Sequence, residues 1–282
     1  MKDLSIVIVT FNEEPEILEE CFASVASSTR LNWELLVIDN GNHADTKRLA
    51  EAIPNCRYIP NPENKGFAYA VNQGMKLSGG RYALLLNPDT RFAPDVLAKM
   101  IQKIDADPTI GIASCVIRYP DGTLQESIRR FPGITDQLLI LLKVPHVLKT
   151  SVMDRYLMRD ADPLQTQDVD SIMGAFMFIR RELMEDIGLF DEQYFLWYEE
   201  VDYCKMARQA DWRILHVGDV EVTHHKGHAF GKIETLKKQR WVRESLRKYM
   251  KKHHGMGAWL LFVILTPIFL VLAYLTALLK RR

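Results

Sequence analysis

Short apolar runs that end in polar residues recur along the first half of the chain. Residues 4–9 run into Thr10-Phe11-Asn12, residues 33–38 into Asp39-Asn40-Gly41, and residues 82–86 into Asn87-Pro88-Asp89-Thr90. Unbroken apolar runs of this length suit strands buried on both faces. Between them the spacing becomes helical. A helix is predicted through residues 16–22 behind Pro15, a favoured first-turn residue, and another from Gly66 with Phe67, Ala70, Val71 and Met75 on one face. A third, over residues 94–104, precedes a strand at 110–117. The β-α-β-α order implies an α/β fold, with a mostly parallel sheet flanked by helices and ligands bound beyond the carboxyl ends of its strands. Asp39 and Asp89 both fall at such ends. The Asn87-Pro88-Asp89 segment alone reads equally well as turn chemistry. A second carboxylate at an equivalent strand end favours a ligand crevice.

The second half carries a denser polar pattern. A strand is predicted over residues 172–179, followed by the acidic run Tyr198-Glu199-Glu200-Val201-Asp202. On a helix Glu199 and Asp202 share a face while Glu200 points elsewhere. A solvated, dipole-favoured helix start explains the acids blandly. Trp197, Tyr198 and Tyr203 interleave them, however, and apolar walls raise a carboxyl pKa toward that of a general base. His224, His225 and His228 then lie within five positions. Without neighbouring cysteines they are weak evidence for structural zinc, and one imidazole joining a carboxylate around Mn²⁺ or Mg²⁺ is more economical. Solvated loop histidines remain the alternative.

Composition narrows the choice. Lys+Arg and Asp+Glu number 36 each, so overall charge does not point to nucleic acid. Cys21, Cys56, Cys115 and Cys204 show no metal or disulfide spacing, which fits a reducing setting. No cationic leader with an apolar core precedes the first strand, so the catalytic part is expected to stay unexported. The first strand-to-helix turn has no glycine and no phosphate-loop motif occurs, which excludes a Rossmann or P-loop mode of nucleotide binding. A nucleotide would instead be held by side chains at strand ends, with a metal on its phosphates.

The charge is uneven. Lys237, Lys238, Arg240, Arg243, Arg247, Lys248 and Lys251 crowd the stretch ahead of residues 257–279, about 23 positions without a charge and long enough to cross a bilayer. Trp259 and Tyr274 suit interfacial anchoring, whereas Pro267 sits mid-segment, which leaves spanning and lying in the interface both open. Charge counting places the larger domain on the cytoplasmic side of the cell membrane. The expected organisation is a domain over 1–232, a basic juxtamembrane helix over 233–256 and a membrane segment over 257–279. Residues 137–145 form a second apolar stretch, too short to span, which reads as core or as an interfacial guide for a lipid-linked acceptor.

Several of these segments together resemble a known family. Residues 5–12, Val37-Ile38-Asp39-Asn40, Asn64-Lys65-Gly66-Phe67, Leu86-Asn87-Pro88-Asp89, Tyr119-Pro120-Asp121-Gly122, Arg130-Phe131-Pro132, Gly174-Ala175 and the acidic run look like family 2 glycosyltransferases of the rhamnosyltransferase-like branch, over roughly residues 3–230. The resemblance implies a GT-A fold and inverting transfer from a nucleotide-diphosphate sugar, possible rhamnose donors included, to a lipid-linked or polysaccharide acceptor in cell-surface glycan synthesis. It assigns Thr10, Asn12, Asp39, Asn64, Lys65, Gly66 and Asn87 to the nucleotide sugar, and Gly174, Ala175 and Trp197 to the acceptor side. Asp89, with His224 sharing the load, would hold a divalent cation. Asn87-Pro88-Asp89 stands where many relatives have Asp-x-Asp, which removes one anionic ligand. Relatives commonly read Glu-Asp where this chain has Glu199-Glu200, so Glu200 is the expected base, with Glu199 and Asp202 as substitutes. The competing reading is a membrane-tethered sugar-nucleotide-binding scaffold without catalysis.

Overall fold

The computed structural model describes residues 2–146, 148–225 and 235–279. Strand β1 (Lys2–Thr10) leads through α1 (Pro15–Ala26), β2 (Trp33–Asp39), α2 (Ala44–Glu51), β3 (Cys56–Pro60) and α3 (Phe67–Leu77) to β4 (Gly80–Leu86). Then come β5 (Thr90–Arg91), α4 (Val96–Asp105), β6 (Ile110–Arg118), β7 (Ile128–Arg129), α5 (Ile134–Leu141) and α6 (Ser151–Tyr156). The remainder is β8 (Gln167–Asp168), β9 (Ser171–Ile172), β10 (Phe176–Arg180), α7 (Arg181–Ile187), α8 (Glu199–Gln209), β11 (Arg213–His224) and a long C-terminal helix, α9 (Thr235–Leu279).

Alternate residues of β1 enter different core layers, because successive strand side chains point to opposite faces. Leu4, Ile6 and Ile8 pack with α1 and α4, whereas Val7 and Val9 pack in the layer that holds α3, α7 and α8. Both faces are covered, which is why the strand is apolar throughout instead of alternating. The main sheet runs β3-β2-β1-β4-β10-β6-β11-β5, with β8 beside β11. Its first four strands are parallel, as are β6 and β11, and β10 enters antiparallel between β4 and β6. The connection order reverses at β1, the kind of switch point where open α/β sheets form a crevice. Thr10 and Asp39 are register partners there.

The single strand expected over residues 172–179 is two. Ile172 ends β9, paired with β7, while β10 begins at Phe176 against β4. Hydropathy does not reveal the break, because Met173 and Ala175 are apolar. The hydrogen bonds do: Met173 N donates to Ser127 O (2.8 Å) and Ala175 O accepts from Asn87 N (2.9 Å).

Helix α9 is broken at Gly255, whose φ of 83° and ψ of −179° lie in a region that glycine alone adopts readily. The second arm folds back on the first. Arg243 Nη2 donates to Phe269 O (3.0 Å) and Arg247 Nη1 to Thr266 Oγ1 (3.3 Å), so later residues of one arm meet earlier residues of the other, as in an antiparallel hairpin. Leu246, Tyr249 and Met250 interlock with Ala258, Phe262 and Phe269. Ile134, Leu138 and Leu141 of α5 join this cluster, so the apolar stretch near residue 140 is partly core, with Leu142 left 40% exposed.

The first arm is fixed to the domain through Asp202 of α8, which is fully buried. Its carboxylate accepts from Lys252 Nζ (2.7 Å) and Tyr194 Oη (3.2 Å), and His253 Nε2 lies 2.7 Å away. Ser245 Oγ adds a bond to Leu196 O at 2.8 Å. Asn at position 202 would keep the size but remove the charge facing Lys252, which is one-third exposed and retains Asp191 at 3.2 Å. Asp202→Asn should therefore lower the unfolding free energy by on the order of 2 kcal/mol in urea titration, the worth of a charge-assisted hydrogen bond, and expose α9 to limited proteolysis. A loss within about 0.5 kcal/mol, typical of surface positions, would show that this node does not fasten the helix.

Candidate active site

Asp39 ends β2 with both oxygens engaged. Thr10 Oγ1 (3.0 Å) and Gly41 N (2.9 Å) donate to Oδ1, and His43 N (2.9 Å) and Tyr58 Oη (2.7 Å) donate to Oδ2. These four bonds use the roughly four lone-pair positions of a carboxylate. Asn12, at a left-handed φ of 62°, contacts His43 across the same rim. Glu13 lies in the turn between them, accepting from Phe11 N. Burial pushes its carboxyl up to about 7, with the charges of Asp89 and Asp39 adding to the rise.

At the end of β4, Asp89 Oδ1 stands 3.1 Å from His224 Nε2, and both side chains are buried. Gln125 orients the imidazole: its Oε1 lies 3.0 Å from Nδ1, while its Nε2 donates to His224 O (2.6 Å). The other ring nitrogen, Nε2, faces Asp89 and the Asn87 amide at 3.2 Å. His225 turns away, with Nε2 3.4 Å from Glu20 of α1. Lys226, Gly227 and His228 lie outside the described residues.

The segment Gly174-Ala175 joins this edge to the acidic run. Ala175 O accepts from Asn87 N, and Thr90 Oγ1 lies 3.5 Å from the same oxygen. On the other side a Cβ built on Gly174 would sit 3.5 Å from Glu200 Cβ, so Glu200 packs directly against the turn. Trp197 and Tyr198, both at positive φ (65° and 71°), make the sharp entry into α8, and such strain persists only where the surroundings enforce it. Tyr198 Oη donates to Gln137 Oε1 at 2.7 Å. Gly66 closes the crevice: its φ is +107°, and an added Cβ would lie 2.7 Å from Phe195 O. Phe67 N donates to that oxygen, and Asn64 Oδ1 accepts from Gly66 N, so the loop carrying exposed Lys65 leans on the turn before α8.

Glu199 and Glu200 each keep a buried Oε2 without a hydrogen-bond partner. Burial raises both carboxyls, Glu199 well above the usual range with further help from the Glu200 charge, while Arg129 works against the rise at Glu200. Glu199 is only 4% exposed, whereas Glu200, beside Gly174, is half-buried. Asp202, the other expected substitute base, is taken up by Lys252, His253 and Tyr194, with no route to the crevice. Sequence reading missed Glu13, Tyr58 and Arg129. Glu13 was visible as the acid of the first strand-end turn, but nothing local marks a β3 tyrosine or a β7 arginine as site residues.

Residues 5–188 match the sequence model described as glycosyl transferase family 2. The chain belongs to that family. Among its relatives is an N-acetylglucosaminyl-diphospho-decaprenol L-rhamnosyltransferase of Mycobacterium tuberculosis, 27% identical over 241 residues, covering 81% of this chain and 78% of the relative. A rhamnosyltransferase of Escherichia coli is 23% identical over 228 residues, 78% of this chain and 83% of its own length. In structure the chain resembles a Pyrobaculum calidifontis mannosyltransferase solved with GDP-Man and Mn²⁺ (TM-score 0.60, 18% identity, 98% of this chain and 72% of that one). It also resembles GalNAc-T7 solved with UDP, GalNAc and Mn²⁺ (TM-score 0.61, 21% identity), matching 79% of this chain but only 43% of that protein. These likenesses show the GT-A fold of a family 2 glycosyltransferase.

Among the described residues no cluster of three metal-ligating side chains forms. The Asp89 carboxylate and the His224 imidazole beside it still suit a hard-to-borderline cation that takes its other ligands from phosphate oxygens and water. In this family 2 domain the paired glutamates carry a pH signature. A carboxyl whose pKa rises on folding contributes stability at low pH that is lost as pH climbs through the raised value. Glu199→Gln removes that charge, so its Tm should exceed the parent's at about pH 8 and the gap should shrink near pH 5. A lower Tm at the higher pH would mean that charged Glu199 has a stabilising partner.

Proposed function

We propose that this family 2 enzyme is an inverting, metal-dependent transferase that moves a sugar from a nucleoside diphosphate to a hydroxyl of a lipid-linked or polysaccharide acceptor. Rhamnose is the first sugar to test, because rhamnosyltransferases are among the relatives, one of them named for a diphospho-decaprenol acceptor. The observation that carries the reading is the Gly174-Ala175 turn, which puts an unpartnered buried carboxylate on one side and the Asn87–Asp89 strand end on the other.

The roles follow from position. Thr10, Asn12 and Asp39 line the base and ribose end, and Asn64, Lys65, Gly66 and Asn87 line the path toward the sugar. Gly174, Ala175 and Trp197 border the acceptor's approach, and the absence of a Cβ at Gly174 leaves room beside Glu200. Glu200 takes the proton of the acceptor hydroxyl as that oxygen bonds to C1, and the C1–oxygen bond to the diphosphate breaks with its electron pair leaving on the nucleotide. Arg129 keeps Glu200 ionised often enough to accept the proton, while burial keeps it basic. A divalent cation, Mn²⁺ or Mg²⁺, held by Asp89 and His224 would neutralise charge on the departing diphosphate.

A panel of nucleotide sugars offered to the detergent-solubilised protein, read as nucleotide release with and without acceptor, tests the reading. Tight binding with no turnover of any donor would overturn it. Glu200→Gln should keep donor affinity while transfer falls on the order of 10²–10⁴-fold, the usual worth of a positioned base. The rate of the parent should fall as pH drops, with the acid limb lying above an ordinary glutamate because burial raises Glu200. If Glu199→Gln is instead the inactive variant and Glu200→Gln the mild one, the base is one residue earlier. Asp89→Ala should abolish metal-dependent nucleotide binding, whereas His224→Ala should only weaken it. Unchanged Mn²⁺ dependence in Asp89→Ala would remove Asp89 from the metal site.

A further inference from the structure

The second arm of α9 is apolar on every side. One stripe, Ala258, Phe262 and Phe269, is buried under the first arm. The opposite stripe is open: Leu260 is 50% exposed, Ile264 63%, Ile268 50% and Val271 59%. Of the twelve large apolar side chains exposed among the described residues, seven lie between Met256 and Val271. A helix that is apolar all round and half uncovered belongs against lipid or another apolar surface.

By length and composition this helix qualifies to cross a membrane. The hairpin geometry argues otherwise. Arg247 meets Thr266 and Arg243 meets Phe269. Phe269 lies about 14 residues past the Gly255 break, about 20 Å along the helix at 1.5 Å per residue. If the second arm crossed ~30 Å of hydrocarbon, the first arm would be carried to mid-depth with it, together with both arginines and the charged Glu244 and Lys248. The first arm cannot be left behind, because Asp202, Leu196 and Pro132 of the domain hold it at Lys252, Ser245 and His254. The ten described residues of the helix beyond Phe269 cover about 15 Å, half of that thickness.

We propose that the C-terminal hairpin is an interfacial element, which buries the Leu260–Ile264–Ile268–Val271 stripe in one leaflet of an anionic bilayer and leaves both ends of the chain on the same side. Charge fits this occupant: Lys237, Arg240 and Lys251 are exposed on the arm that shields the buried stripe. Lys251 Nζ lies 6.0 Å from the Trp259 ring centre at the turn, a cation and an amphipathic ring suited to headgroup depth. The inference stands whichever sugar is moved.

The test uses the full chain carrying peptide tags at both ends, expressed in bacteria and recovered in the membrane fraction. In sealed inside-out vesicles, added protease should remove both tags without detergent. Protection of the C-terminal tag there, with removal in spheroplasts, would show a span and overturn the proposal. In a second arm, purified protein is sedimented with phosphatidylcholine vesicles with and without phosphatidylglycerol. The bound fraction should rise with the anionic lipid, and the double change Ile264→Asp and Ile268→Asp should cut vesicle affinity on the order of tenfold or more, with circular dichroism and slow donor hydrolysis retained. Equal vesicle binding by this variant would overturn the proposal. So would a parent that is dimeric in detergent and becomes monomeric on the double change, because the stripe would then serve a second copy of the chain.

Discussion

The carboxylate of Asp202 governs how the two functional halves of this protein meet. It sits one turn beyond the catalytic candidates, on the same helix, with no solvent around it, and takes its counter-charge from Lys252 and a close contact from His253 some fifty positions later. A buried charge tolerates little displacement, because separation from its partners leaves it uncompensated in a medium of low dielectric. The helix that presents Glu200 and the arm that carries the apolar hairpin are therefore locked in one orientation. Ser245 on Leu196 O and the tilted stack of Phe195 on Trp241, 4.6 Å between ring centres, hold the same joint from its other side.

Much of the architecture was legible in hydropathy alone. Strands buried on both faces leave long apolar runs, and Asp39 and Asp89 stood out because each interrupts such a run at its end. The antiparallel insertion of β10 was not legible, because Gly174 is flanked by apolar residues and the split depends on backbone bonds to Ser127 and Asn87, distant in sequence. The fold-back of α9 was hidden for a related reason. Gly255 is one small residue in a helical pattern, and only the meeting of Arg243 with Phe269 reveals that the chain has reversed.

The site shows the same division. Residue types at strand ends and in the acidic run could be read locally, and motif resemblance added roles to them. What neighbouring side chains do to those residues could not. Asp202 looks on a helical wheel like a partner of Glu199, yet its bonds fasten another helix. His224 and His225 are indistinguishable in sequence, and the alternation of a strand end turns one to Asp89 and the other to Glu20. Gln125, a hundred residues upstream, holds Nδ1 of the imidazole and so turns Nε2 toward Asp89.

If Asp39 receives the nucleobase as proposed, its hydrogen bonds carry a consequence for donor choice. Its oxygens already accept from two side-chain hydroxyls and two backbone N–H groups. The backbone donors are set by the turn after β2, whereas the Tyr58 hydroxyl sits at the end of a rotatable ring. A nucleobase N–H offered to this carboxylate would have to replace a hydroxyl, that of Tyr58 or of Thr10, instead of adding a bond, and the exchange of one donor for another changes the free energy little. Discrimination among nucleobases at this point would arise mainly by mismatch, through the penalty on a base that displaces the hydroxyl and offers no N–H in return. In that role the arrangement would reject wrong donors more strongly than it would tighten the right one.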